Sequence, residues 1–159
     1  MNFRKKEIKS DAASGFERFR PLPEQVATSA PPPSFVKFSG KILIVDDEPL
    51  IQAVGTRILG KMGNEILLAG TAREALEKIR ENPDVALILL DIALPDLKGS
   101  ELIPAIRELN SGCRIIVCSG YPLSYYGEIP EGADGWLDKP FTLESAYRAI
   151  DIAFLGSGL

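Results

Sequence analysis

The stretch that decides the fold is residues 42–45 (ILIV), which lead directly into Asp46 and Asp47. Four consecutive branched aliphatic residues are too few for a free-standing helix, and they do not alternate with polar ones, which predicts a short strand buried on both faces. Residues 87–90 (LILL) repeat the pattern and are followed by Asp91. Because open α/β sheets bind ligands at the carboxyl ends of their strands, the three acids predict a site at that edge.

A base and a hydroxyl follow two further apolar runs. Trp136 and Leu137 lead to Lys139, and residues 114–118 (RIIVC) lead to Ser119. Both side chains follow predicted parallel strands, so we expect them at the same edge of the sheet as the acids.

Strand and helix patterns alternate five times along the chain, which predicts an α/β fold with a doubly wound, five-stranded parallel sheet. A flavodoxin-like order, 2-1-3-4-5, makes the first and third strands neighbours, with the switch point between them. The fourth helical segment is weak because Pro122, Gly127 and Pro130 leave room for about two turns at most. The predicted strands are 42–45, 65–69, 85–90, 114–118 and 134–138, and the apolar face of the first helix is assigned to Leu50, Ile51, Val54, Ile58, Leu59 and Met62.

Composition divides the chain into two parts. Residues 1–38 are rich in proline and predict a disordered or extended segment, whereas residues 39–159 have the length of one domain. Charge changes as well: residues 1–40 carry seven basic and four acidic side chains, and residues 41–159 carry 11 basic and 18 acidic. An acidic domain binds nucleic acid or anionic lipid poorly, so neither is expected as a partner.

Nothing in the sequence predicts export or membrane insertion. No apolar run approaches the roughly 20 residues of a membrane span, and the N-terminus lacks the apolar core of a signal peptide. Cys113 and Cys118 stand at an odd offset on one predicted strand, which favours buried thiols on opposite faces of the sheet. The expected location is the cytoplasm.

The three acids require a cation, because carboxylates a few ångströms apart repel one another strongly. With oxygen ligands and no histidine in the chain, Mg²⁺ fits this set better than zinc. A carboxylate can attack phosphorus and form an aspartyl phosphate, while the metal, Lys139 and Ser119 would stabilise the phosphoryl oxygens. We therefore expect Asp91 to be the nucleophile, and Asp46 and Asp47 to serve the metal.

The combined pattern resembles the receiver domains of bacterial two-component response regulators, over about residues 41–155. The resemblance implies that Asp91 is the phosphoacceptor. It also implies that Asp47, Asp91 and the backbone carbonyl of Ala93 ligate Mg²⁺, with Asp46 acting mainly through water. The matching segments are residues 44–49 (IVDDEP), 89–99 (LLDIALPDLKG), 118–120 (CSG) and 135–141 (GWLDKPF).

The same resemblance assigns the remaining residues at the site. Ser119 and Lys139 would hold the phosphoryl group, and Trp136 takes the place of the switch aromatic. The peptide bond between Lys139 and Pro140 is expected to be cis, an isomer that proline tolerates.

The function implied by the resemblance is that of a signalling phosphoacceptor in a two-component phosphorelay, not an enzyme with other substrates. A histidine kinase would supply the phosphoryl group, and a downstream protein would respond. The chain fits a stand-alone regulator or the C-terminal receiver of a hybrid sensor kinase. Because the predicted domain ends the chain, we expect output through a separate partner, and the weak fourth helix favours a monomer or weak dimer.

Two other classes of function stay open. A Mg²⁺-dependent phosphatase of the haloacid-dehalogenase type also forms an aspartyl phosphate, but it requires a second Asp where this chain has Ala93. A receiver-like module that is not phosphorylated would use the fold for protein contacts alone. Single residues also have simpler interpretations, since two acids can cap a helix and Trp136 can be a half-buried packing residue.

Overall fold

The computed structural model describes residues 35–156 of the 159-residue chain. Five parallel strands form one sheet in the order β2-β1-β3-β4-β5. The fold and strand order predicted from the sequence are confirmed. The strands are β1 (Lys41–Val45), β2 (Ile66–Ala69), β3 (Val85–Asp91), β4 (Arg114–Ser119) and β5 (Gly135–Asp138). The helices are α1 (Pro49–Leu59), α2 (Ala72–Glu81), α3 (Gly99–Leu109), α4 (Leu123–Tyr126) and α5 (Leu143–Leu155), and a 3₁₀ turn spans Gly60–Met62.

Two apolar layers cover the sheet, because successive side chains of a strand point to opposite faces. Leu43 and Val45 of β1 belong to the layer under α2 and α3. Ile42 and Ile44 belong to the layer under α1 and α5. Cys113 joins the first layer and Cys118 the second, which confirms that the two buried thiols lie on opposite faces.

Local capping sets where two of the helices begin. The hydroxyl of Thr142 accepts a hydrogen bond from the Ser145 N–H, and Ser145 reciprocates in a capping box at the start of α5. The hydroxyl of Thr71 caps α2 in the same way, through the Glu74 N–H. The Glu74 carboxylate accepts from the Gly70 N–H, one residue before Thr71, so α2 lacks the reciprocal hydrogen bond of a complete capping box.

One position on the predicted apolar face of the first helix is wrong: Leu50 is 73% exposed. The four consecutive residues 47–50 are all exposed to solvent. The first turn of α1 extends beyond the end of β1 and has no strand beneath it. Helix α4 is a single turn, which agrees with the limit of about two turns set by its prolines and glycine.

The chain preceding β1 contacts the domain through residues that composition placed in the N-terminal segment. Phe38 stacks on Phe154, with ring centroids 4.4 Å apart, and Phe35 packs on Tyr147 at 4.6 Å. The Val36 N–H donates to the Asp151 carboxylate at 2.7 Å. Residues 35–38 therefore pack against α5, whereas the prediction for residues 1–34 lies outside the described residues.

In the described part of the chain, no helix is both long enough and apolar enough to cross a membrane.

Candidate functional site

The three predicted acids meet at the carboxyl edge of the sheet. Asp46 and Asp47 follow β1, and Asp91 is the last residue of β3, the strand paired with β1. Each offers a carboxylate oxygen within 4.8 Å of the others. Asp46 and Asp91 are buried, whereas Asp47 is exposed, so the cluster opens to solvent on one side.

Backbone hydrogen bonds orient the two buried carboxylates. Asp46 Oδ1 accepts from the Glu48 N–H at 2.9 Å, and Asp91 Oδ1 accepts from the Ala93 N–H at 3.0 Å. The Gln52 side chain donates to the Asp46 carbonyl at 2.7 Å and ties α1 to the loop. Each carboxylate thus leaves its second oxygen for other partners.

Lys139 supplies that partner from across the sheet. Its ammonium lies 2.5 Å from Asp46 Oδ2 and 3.3 Å from Asp91 Oδ2. Its backbone N–H donates to the Ser119 carbonyl at 2.7 Å, which registers the end of β5 against the end of β4. The following bond to Pro140 is cis, as the resemblance implied.

Burial and charge act in opposite directions on the ionisable groups. Burial raises the pKa of Asp91, and the Ala93 N–H and the Lys139 charge offset only part of that increase. For Lys139, burial alone would lower the pKa, but the hydrogen bond to Asp46 and the charges of Asp91 and Asp46 raise it. The ammonium is therefore held charged. Burial disfavours the charged form of the Asp91 carboxylate, and additional positive charge at the site would favour it.

The donor set fits Mg²⁺. Three carboxylates and one ammonium carry a formal charge of −2 when ionised, which a divalent cation would neutralise. All side-chain donors are oxygens, and the exposed member, Asp47, leaves room for the waters that Mg²⁺ retains. Burial raises the pKa of the neighbouring Cys118 thiol to about 12, so this thiol is protonated at neutral pH.

Ser119 ends β4, beside β3, and its hydroxyl is held by two neighbours. Its Oγ accepts from the Tyr121 N–H at 3.0 Å and donates to the Tyr126 hydroxyl at 3.4 Å. The half-buried Trp136 lies nearby on β5, with its ring centroid 5.1 Å from that of Tyr126. The indole N–H donates to Asp138 at 2.8 Å.

Two residues beside the candidate site received no role in the sequence analysis. Tyr126 reaches Ser119 from the single turn of α4, and no local pattern marks it. Asp96 lies in the loop after β3, and its carboxylate accepts from the N–H groups of Ala72 and Arg73 at 2.8 and 3.1 Å. These bonds lower the pKa of Asp96 and tie the loop after Asp91 to the start of α2. A signal existed, since α2 begins with free N–H groups that need an acceptor.

A glycine permits the close return of the chain behind Asp91. A Cβ at Gly99 would lie 2.5 Å from the Asp91 carbonyl oxygen, well inside contact distance. The Gly99 N–H donates to the Ile92 carbonyl at 2.9 Å, which closes the loop after β3. Position 99 therefore needs glycine if Asp91 is to keep its place.

Comparison with known proteins agrees with this geometry. The profile of the response regulator receiver domain matches residues 42–151. The chemotaxis protein CheY of Bacillus subtilis is 33% identical over 115 residues, which cover 70% of this chain and 94% of CheY. The transcriptional regulator NtrC of Azospirillum brasilense is 31% identical over 114 residues, covering 70% of this chain but only 24% of NtrC.

A solved structure is similar in fold. The response regulator from Burkholderia pseudomallei, crystallised with a phosphorylated aspartic acid, a calcium ion and citrate, superposes with a TM-score of 0.64 at 27% identity. The match covers 73% of this chain and 69% of that one. The order of strands, the acid cluster and the profile match lead to one conclusion: the chain belongs to the response regulator receiver domain family.

Proposed function

We propose that this receiver domain accepts a phosphoryl group on Asp91 from the phosphohistidine of a histidine kinase, and thereby changes its contacts with a downstream protein. One observation carries the assignment to Asp91. Its carboxylate contacts the Lys139 ammonium and lies close enough to the carboxylates of Asp46 and Asp47 for all three to bind one metal ion. Asp91 also ends the strand that pairs with β4, whose last residue is Ser119. The Burkholderia relative, which holds a phosphorylated aspartic acid and a calcium ion, supports the same chemistry here.

The transfer would proceed by direct displacement. An Asp91 carboxylate oxygen attacks phosphorus, the P–N bond to the donor histidine breaks, and its electron pair leaves with the imidazole nitrogen, which takes up a proton from solvent. Lys139 would neutralise charge on the phosphoryl oxygens, and the Ser119 hydroxyl would donate a hydrogen bond to one of them.

Mg²⁺, held by Asp47, Asp91 and the Ala93 carbonyl with Asp46 acting through water, would supply positive charge to the same oxygens. The protein then acts on no other substrate and catalyses only its own phosphorylation and dephosphorylation. Family membership and two free, buried thiols support a cytoplasmic location.

The test is intact mass after incubation with acetyl phosphate, with Mg²⁺ or with EDTA. We expect the 159-residue chain to gain one phosphoryl group only with Mg²⁺, and Asp91→Asn to gain none. Glu108→Gln is the control, because Glu108 is an exposed acid in the last turn of α3, away from the cluster, and should leave labelling unchanged. Full labelling of Asp91→Asn would overturn the assignment.

The metal roles are separated by two further variants. Asp47→Ala should abolish the dependence on Mg²⁺ by removing a direct ligand, together with most of the labelling. Asp46→Ala should weaken that dependence less. The reverse order of effects would exchange the two proposed roles.

A further inference from the structure

The hydroxyl of Ser119 is isolated from solvent. The residue is 1% exposed, so its Oγ depends on protein partners for hydrogen bonding. It accepts from the Tyr121 N–H and donates its only hydrogen to the Tyr126 hydroxyl. A serine hydroxyl has one hydrogen, so whatever holds that hydrogen competes with any other acceptor.

Tyr126 comes from outside the predicted site and is held in place by its surroundings. The turn of α4 is closed by hydrogen bonds from the Tyr125 N–H to the Pro122 carbonyl and from the Gly127 N–H to the Leu123 carbonyl. The Tyr126 ring packs edge-on against Tyr125 at 5.1 Å. It also packs against the indole of Trp136.

Trp136 itself makes no hydrogen bond to the Ser119 hydroxyl among the described residues. An indole has one N–H donor and no hydroxyl, and here that N–H is directed to Asp138. Tyr126 is the described residue that touches both the Ser119 hydroxyl and the Trp136 ring. It therefore lies between the site and the half-buried aromatic on β5.

We propose that Tyr126 is a positioning residue for phosphoryl transfer: it holds the Ser119 hydroxyl hydrogen in the unphosphorylated domain and gives it up when a phosphoryl group arrives. This inference rests on the function proposed above. Release is inexpensive for the tyrosine, which is 38% exposed and can turn its hydroxyl to water. The Tyr126 ring then changes position, and this change alters the packing around the Trp136 indole.

Removal of the competing hydroxyl should favour the phosphorylated state. In Tyr126→Phe, the rate of labelling by acetyl phosphate should rise roughly two- to fivefold, the size expected for a long hydrogen bond between neutral groups. Tyr125→Phe is the matched control, because this neighbouring ring is exposed and has no contact with Ser119 among the described residues. Its rate should match that of the parent.

A double-mutant cycle separates positioning from packing. In a Ser119→Ala background, labelling is slower, and adding Tyr126→Phe should leave that rate unchanged, because no hydroxyl remains to be released. A rate increase of the same size in both backgrounds would overturn the proposal, as would slower labelling of Tyr126→Phe. If Tyr126→Phe is labelled at the parental rate while Ser119→Ala is labelled more slowly, only the role of Tyr126 fails. If the parent gains no phosphoryl group, the proposed function fails with it.

Discussion

Replacing Asp91 by asparagine should stabilise the metal-free protein while abolishing phosphorylation. The substitution keeps the shape of the side chain and an oxygen that can accept from the Ala93 N–H. It removes one of three negative charges that lie within 4.8 Å of one another. The pKa of Asp91 is raised by burial, which means that the surroundings disfavour its charged form.

The magnitude follows from the distances. At an effective dielectric constant of about 20, Lys139 at 3.3 Å attracts Asp91 by about 5 kcal/mol. Asp46, at 4.8 Å or less, repels it by about 3–4 kcal/mol or more, and the exposed Asp47 adds a smaller, solvent-screened repulsion. Attraction and repulsion nearly cancel, so the burial penalty decides the sign. We expect a gain of about 1–2 kcal/mol, or about 4–8 °C in melting temperature for a domain of this size.

Thermal unfolding in EDTA measures this effect, followed by circular dichroism at pH 7 and near pH 4. A raised folded-state pKa means that the stability due to the protonated carboxyl is fully present below its ordinary value of 3.8 and is lost as the pH rises through the folded value. The advantage of Asp91→Asn should therefore be largest at pH 7 and shrink toward pH 4. Mg²⁺ should raise the melting temperature of the parent more than that of the variant.

Glu108→Gln serves as the control, because it removes an exposed acid from the last turn of α3, away from the cluster. Its melting temperature should stay within about 1 °C of the parent, as is usual for surface substitutions. Two results would refute the reasoning: an Asp91→Asn variant that melts at or below the parental temperature, or an advantage that is the same at both pH values.

Three further outcomes are expected. A chain that begins at Ser39 should melt about 4–8 °C below one that begins at Phe35. It loses two partly buried phenylalanines, which together stabilise the fold by about 1–2 kcal/mol after ordering costs. Equal melting curves would show that residues 35–38 do not contribute to stability. Trp136 fluorescence should change in intensity or emission maximum when beryllofluoride is added with Mg²⁺, and less with metal alone, because a filled site alters the contacts of Tyr126 beside the indole; an unchanged spectrum with the site occupied would make Trp136 a static packing residue. The phosphorylated parent should lose its phosphoryl group more slowly than an Ala93→Asn variant, since an alanine methyl cannot orient an attacking water; equal or faster loss in the parent, followed by intact mass, would contradict this.

Local pattern by itself determined the strands, the fold class and the edge of the sheet at which the site lies. Residues 42–45 and 87–90 are apolar without alternation, and burial on both faces of a parallel sheet is the arrangement that hides them completely. An acid that follows such a strand must lie at the carboxyl edge, so local pattern predicts the edge at which Asp46, Asp47 and Asp91 lie, and the pairing of β1 with β3 brings them together. Period and chain connectivity are properties that a sequence carries directly.

Contacts between distant segments were decided only by the tertiary structure. Leu50 fits a helical apolar stripe, yet it is exposed because the sheet ends beneath the first turn of α1. Phe38 reads as part of a proline-rich lead-in, but it stacks on Phe154, 116 positions later in the chain. Tyr126 lies in a segment with weak helical propensity, and only the packing of α4 against β5 brings its hydroxyl to Ser119. Such contacts depend on the positions of separate elements in three dimensions. The free energy that stabilises them comes from burial and hydrogen bonding between residues that are not regularly spaced along the chain.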